Sequence, residues 1–263
     1  MIARYDPAMV RGRIDDARRL AGVVVAAVRD ARRPLDARFP PDFSPEDIRV
    51  AQAVTAYTMT SPERLFALMR ALEYIEEHAI EGDIVECGVW RGGSMMAAAM
   101  TLKRLDNESR PIHLFDTFEG MPAPDEIDRT HTGARAEDLM RVDGQLGEAV
   151  LAAGPLEDVK HAMETVGYAG PISYIKGKVE DTIPESAPSG IALLRLDTDW
   201  YSSTLHELEH LYPRLAPGGV LIVDDYGHWE GARKAVDEYF MAHAPRPLLH
   251  RIDYTGRSLV KPA

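Results

Sequence analysis

From Asp83 onward the chain alternates between short apolar runs and longer segments whose apolar residues recur at helical spacing. Short apolar runs bounded by polar or glycine-rich breaks read as buried parallel strands. They fall at residues 84–86, 112–115, 173–175, 193–196 and 220–223. Helical patterns lie between them, at 94–105, around 156–166, at 203–215 and at 231–243. Two last strands, 248–253 and 258–261, are joined by Tyr254-Thr255-Gly256-Arg257, which predicts a tight antiparallel hairpin. The expected fold is α/β: a doubly wound, mostly parallel sheet with a reversed terminal strand. In such sheets ligands bind beyond the carboxyl ends of the strands.

The residues before position 81 predict helices only. Ser44-Pro45-Glu46-Asp47 and Ser61-Pro62-Glu63 each combine a capping hydroxyl, proline at the first helical position and acids near the positive end of the dipole. After Ser61, Leu65, Leu68, Met69, Leu72 and Ile75 form one stripe, so this helix packs against something. Residues 32–45 hold Pro34, Pro40, Pro41 and Pro45 and read as a linker. The chain therefore divides into an N-terminal helical segment or lid, 1–55, and an α/β domain, 56–263.

Composition narrows the function. The 263 residues are 45% hydrophobic, enough for one large core, and the net charge is −12 with no basic block. Nucleic acid and anionic membrane are poor partners for such a surface. The single cysteine, Cys87, precludes an internal disulfide and suits a reducing compartment. The apolar run 20–28 is about half the length of a membrane span. A soluble, cytoplasmic enzyme of small molecules is expected. The 20–28 run offers a surface for pairing with a second subunit, so a homo-oligomer is expected; packing onto its own domain is the plainer alternative.

After the first strand comes Glu86-Cys87-Gly88-Val89-Trp90-Arg91-Gly92-Gly93-Ser94. A glycine-rich strand-to-helix turn lets backbone approach a ligand and aims helix-start N–H groups at an anion. The dinucleotide fingerprint needs glycine where Trp90 stands, and a P-loop needs a lysine after Gly93. Glu86 would repel a pyrophosphate but suits a cationic ligand such as a sulfonium-containing amino acid, whose carboxylate the helix start can bind. Asp116, ending the second strand, can take both hydroxyls of a ribose, and Phe118 can pack near an adenine. Singly, these features also fit a plain turn and an ordinary helix cap; together they favour an adenosyl ligand without phosphates.

The fourth strand ends in Asp197-Thr198-Asp199 and the fifth in Asp224-Asp225. Four carboxylates at neighbouring strand ends repel unless a cation compensates them. Mg²⁺, which prefers a few carboxylate oxygens and keeps open positions, is the natural candidate. Asp197, Asp224 and Asp225 are the expected ligands and Asp199 the general base. Coordination of an oxygen lowers its pKa, by about nine units for zinc-bound water, and magnesium should do less. The alternative is that these acids are caps and surface carboxylates. His228, just beyond Asp225, is a candidate for the acceptor pocket or proton transfer, or an exposed loop histidine. His206, His210 and His243 fall within helical patterns and read as surface or packing residues.

Taken together, VECGVWRGGS at 85–94, HLFDTFEGMP at 113–122, LLRLDTDWYSST at 193–204 and YPRLAPGGVLIVDDYGHWEGARKAVDEYF at 212–240 resemble the macrocin, mycinamicin and novobiocin group of sugar O-methyltransferases from antibiotic biosynthesis. The resemblance covers roughly residues 55–260. It implies a class I, Rossmann-like methyltransferase fold with a seven-stranded sheet, S-adenosylmethionine and a magnesium site. Position by position, it places the metal on Asp197, Asp224 and Asp225, the base on Asp199, and the cofactor loop on Glu86, Gly88, Arg91, Gly92, Gly93 and Ser94. The ribose acid falls on Asp116. The segment 177–184 would border the adenine, with Val179 and Asp181 as wall residues, and Thr58-Met59-Thr60-Ser61 would close over the cofactor. Residues 1–50 and 119–145 match poorly, and these are the parts expected to cover the acceptor. The expected reaction is methylation of a hydroxyl on a small, sugar-containing metabolite. Alternatives are a phenol or catechol acceptor, a nicotinamide-dependent dehydrogenase, against which Trp90 counts, or a non-catalytic adenosyl-binding protein.

Overall fold

A computed structural model describes residues 39–262, of which those from Pro45 onward belong to one compact unit. The expected apolar helix at 20–28 and the start of the linker lie outside the described residues. The chain runs α1 (Pro45–Val54), α2 (Pro62–Glu77), β1 (Asp83–Cys87), α3 (Gly93–Arg104), β2 (Ile112–Asp116), α4 (Ala136–Met140), α5 (Gln145–Leu151), α6 (Leu156–Val166), β3 (Ile172–Lys176), α7 (Val179–Thr182), β4 (Ile191–Leu196), α8 (Tyr201–Leu211), β5 (Leu215–Val223), α9 (Glu230–Ala242), β6 (His250–Arg251) and β7 (Arg257–Val260).

The strands form one seven-stranded sheet in the order β3-β2-β1-β4-β5-β7-β6. The first five are parallel and β7 is antiparallel to both neighbours, as the hydrophobic pattern predicts. The chain reverses its direction of travel across the sheet at β1, whose neighbours are β2 and β4. That is the topological switch point at which such sheets open a crevice. β4, buried at every position, carries the longest uninterrupted apolar signal apart from Arg195.

Ser61 caps α2 by accepting from the Arg64 N–H at 3.2 Å, and the predicted stripe Leu65, Leu68, Met69, Leu72 and Ile75 is buried. α3 is buried on most sides, through Met95, Met96, Ala97, Ala98 and Ala99. Three boundaries differ from the sequence reading: β5, expected at 220–223, already begins at Leu215, and the others are the helix before it and the terminal hairpin. The helix expected at 203–215 begins at Tyr201 and ends at Leu211, because Pro213 has no N–H to continue it; a single 3₁₀ turn, Tyr212–Arg214, leads into β5. The terminal hairpin has a short first strand and a wider loop. The Asp253 carboxylate accepts from the N–H groups of Thr255 (2.9 Å) and Gly256 (2.6 Å), bending the chain before the strand can extend.

Candidate active site

Register decides which residues meet. Glu86 lies beside Arg195, which lies beside Ile222; one step on, Cys87, Leu196 and Val223 stand in a row. The ladder continues past the strand ends, where the Asp197 N–H donates to the Cys87 carbonyl (2.8 Å) and the Asp224 N–H to the Leu196 carbonyl (2.9 Å). Gly88, Asp197 and Asp224 therefore emerge side by side. Gly88 has φ +83°, and a Cβ there would stand 2.0 Å from the Asp197 carbonyl oxygen. Only glycine lets the first loop pass this close to the acidic strand end.

The glycine loop is clamped from β2. The Asp116 Oδ2 accepts from the N–H groups of Val89 (2.6 Å) and Trp90 (3.0 Å), and Oδ1 accepts from Phe118 (2.7 Å). Asp116 thus has a structural task in addition to any ribose contact, one that its position in the sequence does not reveal. Gly92 takes φ +87° at the start of α3, and Gly93 donates its N–H to the Tyr57 carbonyl at 3.0 Å. Gly93 is in turn covered by Tyr57 and Thr58, whose atoms a Cβ would meet at 2.5–2.7 Å. The 57–60 segment thus lies against the loop's helix start. Among the described residues, the N–H groups of Ser94 and Met95 in the first turn have no protein acceptor. Arg91 is exposed, its guanidinium 5.0 Å from the Trp90 ring. Phe118 and Val179 are buried, while Asp181 is exposed. The Gly177 N–H donates to the Asp116 carbonyl at 3.0 Å, which brings the start of α7 beside Asp116.

On the other side of the crevice, carboxylate oxygens of Asp197, Asp199 and Asp225 lie within 4.8 Å of one another, the only such metal-competent group among the described residues. Asp199 has φ +64°, a left-handed conformation that, glycine aside, asparagine and aspartate tolerate best. Burial, with repulsion from Asp197, pushes Asp199 up to about 7; hydrogen bonds from Asp225 and Trp229 oppose this. Burial likewise raises Asp197 and Asp225, in Asp225 with repulsion from Asp199 and Asp197 added. Trp200 and Trp229 are buried in edge-to-face contact at 4.9 Å beside these acids and keep one wall of the cluster dry.

Asp224 is differently placed from the other three. It is fully buried, and its Oδ2 accepts from Arg64, on α2, and from Arg195 at 2.6 Å, while Oδ1 has no partner. Arg195 also reaches Glu86 through Nη1, Asp197 at 2.9 Å and Thr60 Oγ1 at 2.9 Å. Glu86 is buried, pushed up to about 8 by desolvation against the opposing charge of Arg195, and its Oε2 is unpartnered. Arg64 additionally pairs with Asp253 at 3.2 Å. Two guanidinium groups are thus set against five aspartates and Glu86, an arrangement with room for added positive charge.

Arg64, Arg195 and Asp253 were not among the residues expected from the sequence. A signal existed for Arg195: an arginine within the otherwise apolar Leu193-Leu194-Arg195-Leu196 must be paired if buried. None existed for Arg64, whose helix shows only a packing stripe. His228 accepts or donates through Nδ1 with the Tyr254 hydroxyl at 3.1 Å and lies 5.6 Å, ring to ring, from His131. Burial, with His131 and Arg64 adding, pushes His228 down to about 4.

Comparison with known proteins identifies the family and the fold. The family described as Macrocin-O-methyltransferase (TylF) matches residues 15–260. The chain is 34% identical over 218 residues to the 8-demethyl-8-(2,3-dimethoxy-alpha-L-rhamnosyl)-tetracenomycin-C 4'-O-methyltransferase of Streptomyces olivaceus, covering 82% of this chain and 80% of that one. It is 34% identical over 202 residues to the mycinamicin III 3''-O-methyltransferase of Micromonospora griseorubida, covering 76% and 77%. Among solved structures, the O-methyltransferase NovP superposes with a TM-score of 0.66 at 28% identity, covering 79% of this chain and 83% of that one. A calicheamicin methyltransferase shares the fold at a TM-score of 0.59 and 21% identity, covering 87% and 96%. The sheet is that of the class I methyltransferases, and the chain belongs to the macrocin O-methyltransferase family of S-adenosylmethionine-dependent O-methyltransferases.

Proposed function

We propose that this enzyme methylates a hydroxyl of a small, sugar-containing metabolite and that it uses a divalent cation, Mg²⁺, to do so. The observation that carries the reading is the convergence of Asp197, Asp199 and Asp225 within 4.8 Å at the crevice that also holds the donor loop. The relatives named above act on a rhamnosyl-bearing tetracenomycin and on mycinamicin III, which favours a glycosylated acceptor.

The residues fit a hard cation. Asp197 and Asp225 would hold it; the third expected ligand, Asp224, lies outside that converging group and has only its unpartnered Oδ1 to offer. When bound, such an ion supplies Lewis-acid polarisation of the acceptor hydroxyl, and S-adenosylmethionine supplies an electrophilic methyl on a sulfonium sulfur. The remaining work belongs to the chain. The free N–H groups of Ser94 and Met95 suit the donor's carboxylate, and Asp116 holds the loop and faces the ribose side. Asp199, beside Asp197 and Asp225, would take the hydroxyl proton. His228, held near 4, is a much weaker base and is better suited to lining the acceptor pocket.

The test is turnover of labelled S-adenosylmethionine with a panel of rhamnosyl tetracenomycins, mycinamicin III, nucleotide-linked deoxysugars and catechols. A sugar-bearing acceptor should be methylated with Mg²⁺ present. Methylation of the catechols alone would overturn the acceptor assignment.

A further inference from the structure

We infer that Arg195 makes donor binding and cation binding interdependent, by holding with one guanidinium the donor strand, the acidic strand ends and the segment over the donor loop. This rests on the cation site proposed above. Arg195 is fully buried in the middle of β4, so its position is set by the sheet. Its Nη1 is bound by Glu86, two residues before Gly88 of the donor loop. Its Nη2 faces three acceptors: Asp224 Oδ2 at 2.6 Å, Asp197 Oδ2 at 2.9 Å and Thr60 Oγ1 at 2.9 Å. An Nη group carries two hydrogens, so these three acceptors compete.

The direction of the coupling follows from this competition. A cation drawing on Asp197 and Asp224 weakens their hold on Nη2, and the hydrogens shift toward Thr60. Thr60 belongs to the segment whose Tyr57 carbonyl accepts from Gly93 at the start of α3. The Thr60 N–H is itself held by Thr58 Oγ1 at 3.0 Å, which ties Thr60 to a residue that covers Gly93. Firmer seating of Thr60 therefore firms the cover of the donor loop, and the cation strengthens donor binding. By linkage, the donor strengthens cation binding by the same factor. Arg64, whose side chain contacts Asp224, Asp253 and the Ser61 hydroxyl, reaches neither Thr60 nor Glu86 and so does not join the acidic strand ends to the donor strand.

The experiment is a pair of binding titrations on the full chain. S-adenosylhomocysteine, which lacks the sulfonium charge and so the direct repulsion between donor and ion, is titrated by calorimetry with and without saturating Mn²⁺. Mn²⁺ is titrated by EPR with and without S-adenosylhomocysteine. Both should tighten in the wild type by the same factor, about tenfold. Thr60→Val cuts the relay without leaving a buried charge unpaired, and should bring both factors to within twofold of one. Arg195→Lys, which keeps the charge but not the fork, should do the same if it folds. Equal affinities with and without the second ligand in the wild type would overturn the proposal, as would a tenfold factor that survives Thr60→Val. Wild-type protein that binds S-adenosylhomocysteine but no Mn²⁺ would overturn it together with the cation reading, and the EPR titration alone identifies that outcome.

Discussion

Gly88 lies hard against the backbone of Asp197, and Gly88→Ala is the perturbation that reads this approach. An alanine at φ +83° carries a left-handed backbone cost of about 1–2 kcal/mol. Its Cβ would also stand 2.0 Å from the Asp197 carbonyl oxygen and 2.6 Å from its carbon, both backbone atoms of the adjoining strand end. Relief of such overpacking costs about 1–3 kcal/mol. Gly133 provides the control. Its φ is +89°, yet a Cβ there meets nothing within 4 Å, so Gly133→Ala carries the backbone cost without the collision. The gain from restricting the unfolded chain is common to both variants and cancels in the difference. Gly88→Ala should lose about 3 kcal/mol and Gly133→Ala about 1 kcal/mol. At roughly 2–4 °C per kcal/mol for a domain of this size, melting should fall by roughly 6–12 °C and 2–4 °C respectively in a calorimetric scan. Because the collision pushes on Asp197 from the glycine loop proposed to bind the donor, Gly88→Ala should also weaken S-adenosylhomocysteine binding while Gly133→Ala does not. Equal melting shifts in the two variants, with donor affinity intact in both, would refute the claim that the loop and the acidic strand end are in enforced contact.

Other outcomes follow from the same geometry. Asp199→Asn should lower kcat by about 10²–10⁴ with S-adenosylhomocysteine affinity within twofold of wild type; wild-type turnover would remove Asp199 from proton transfer. EDTA should abolish turnover and Mg²⁺ restore it, whereas full activity in chelator would leave the aspartates without the proposed ion. His228, held at about 4 when folded against an ordinary 6.5, adds a pH dependence: between those values the unfolded chain binds a proton that the folded chain does not. Its contribution is complete above pH 6.5 and is lost as pH falls toward 4, on the order of 2–3 kcal/mol by pH 4.5. His228→Gln should flatten the acid limb of a melting-temperature profile, and parallel limbs would contradict the half-buried neutral histidine. Asp128, whose buried carboxylate accepts from the N–H groups of Tyr201 (2.9 Å) and Asp125 (2.8 Å), pins the 119–145 loop to the start of α8. Asp128→Ala should cost about 1–2 kcal/mol, a loss of roughly 2–8 °C in melting temperature; an unchanged melting point would show that the loop needs no such anchor.

Local pattern by itself determined the five parallel strands, the reversed terminal strand and the helices beside them, because burial on both faces leaves near-continuous apolar runs. It also determined the chemistry on offer, a glycine-rich turn behind an acid and four aspartates at two strand ends, since strand ends are where such a sheet presents side chains to ligand. Only the tertiary structure decided how those aspartates divide. Asp197, Asp199 and Asp225 converge, while Asp224 turns its Oδ2 to Arg64 and Arg195, a partition set by a helix more than a hundred residues upstream and by the β4–β5 register. The same applies to Asp116, whose carboxylate the fold uses to clamp the glycine loop, and to Thr60, which meets Arg195 across 135 residues of chain. Periodicity reports which face of an element is buried; it carries no record of which distant charge will be brought against it, because that depends on register and packing that exist only once the sheet has assembled.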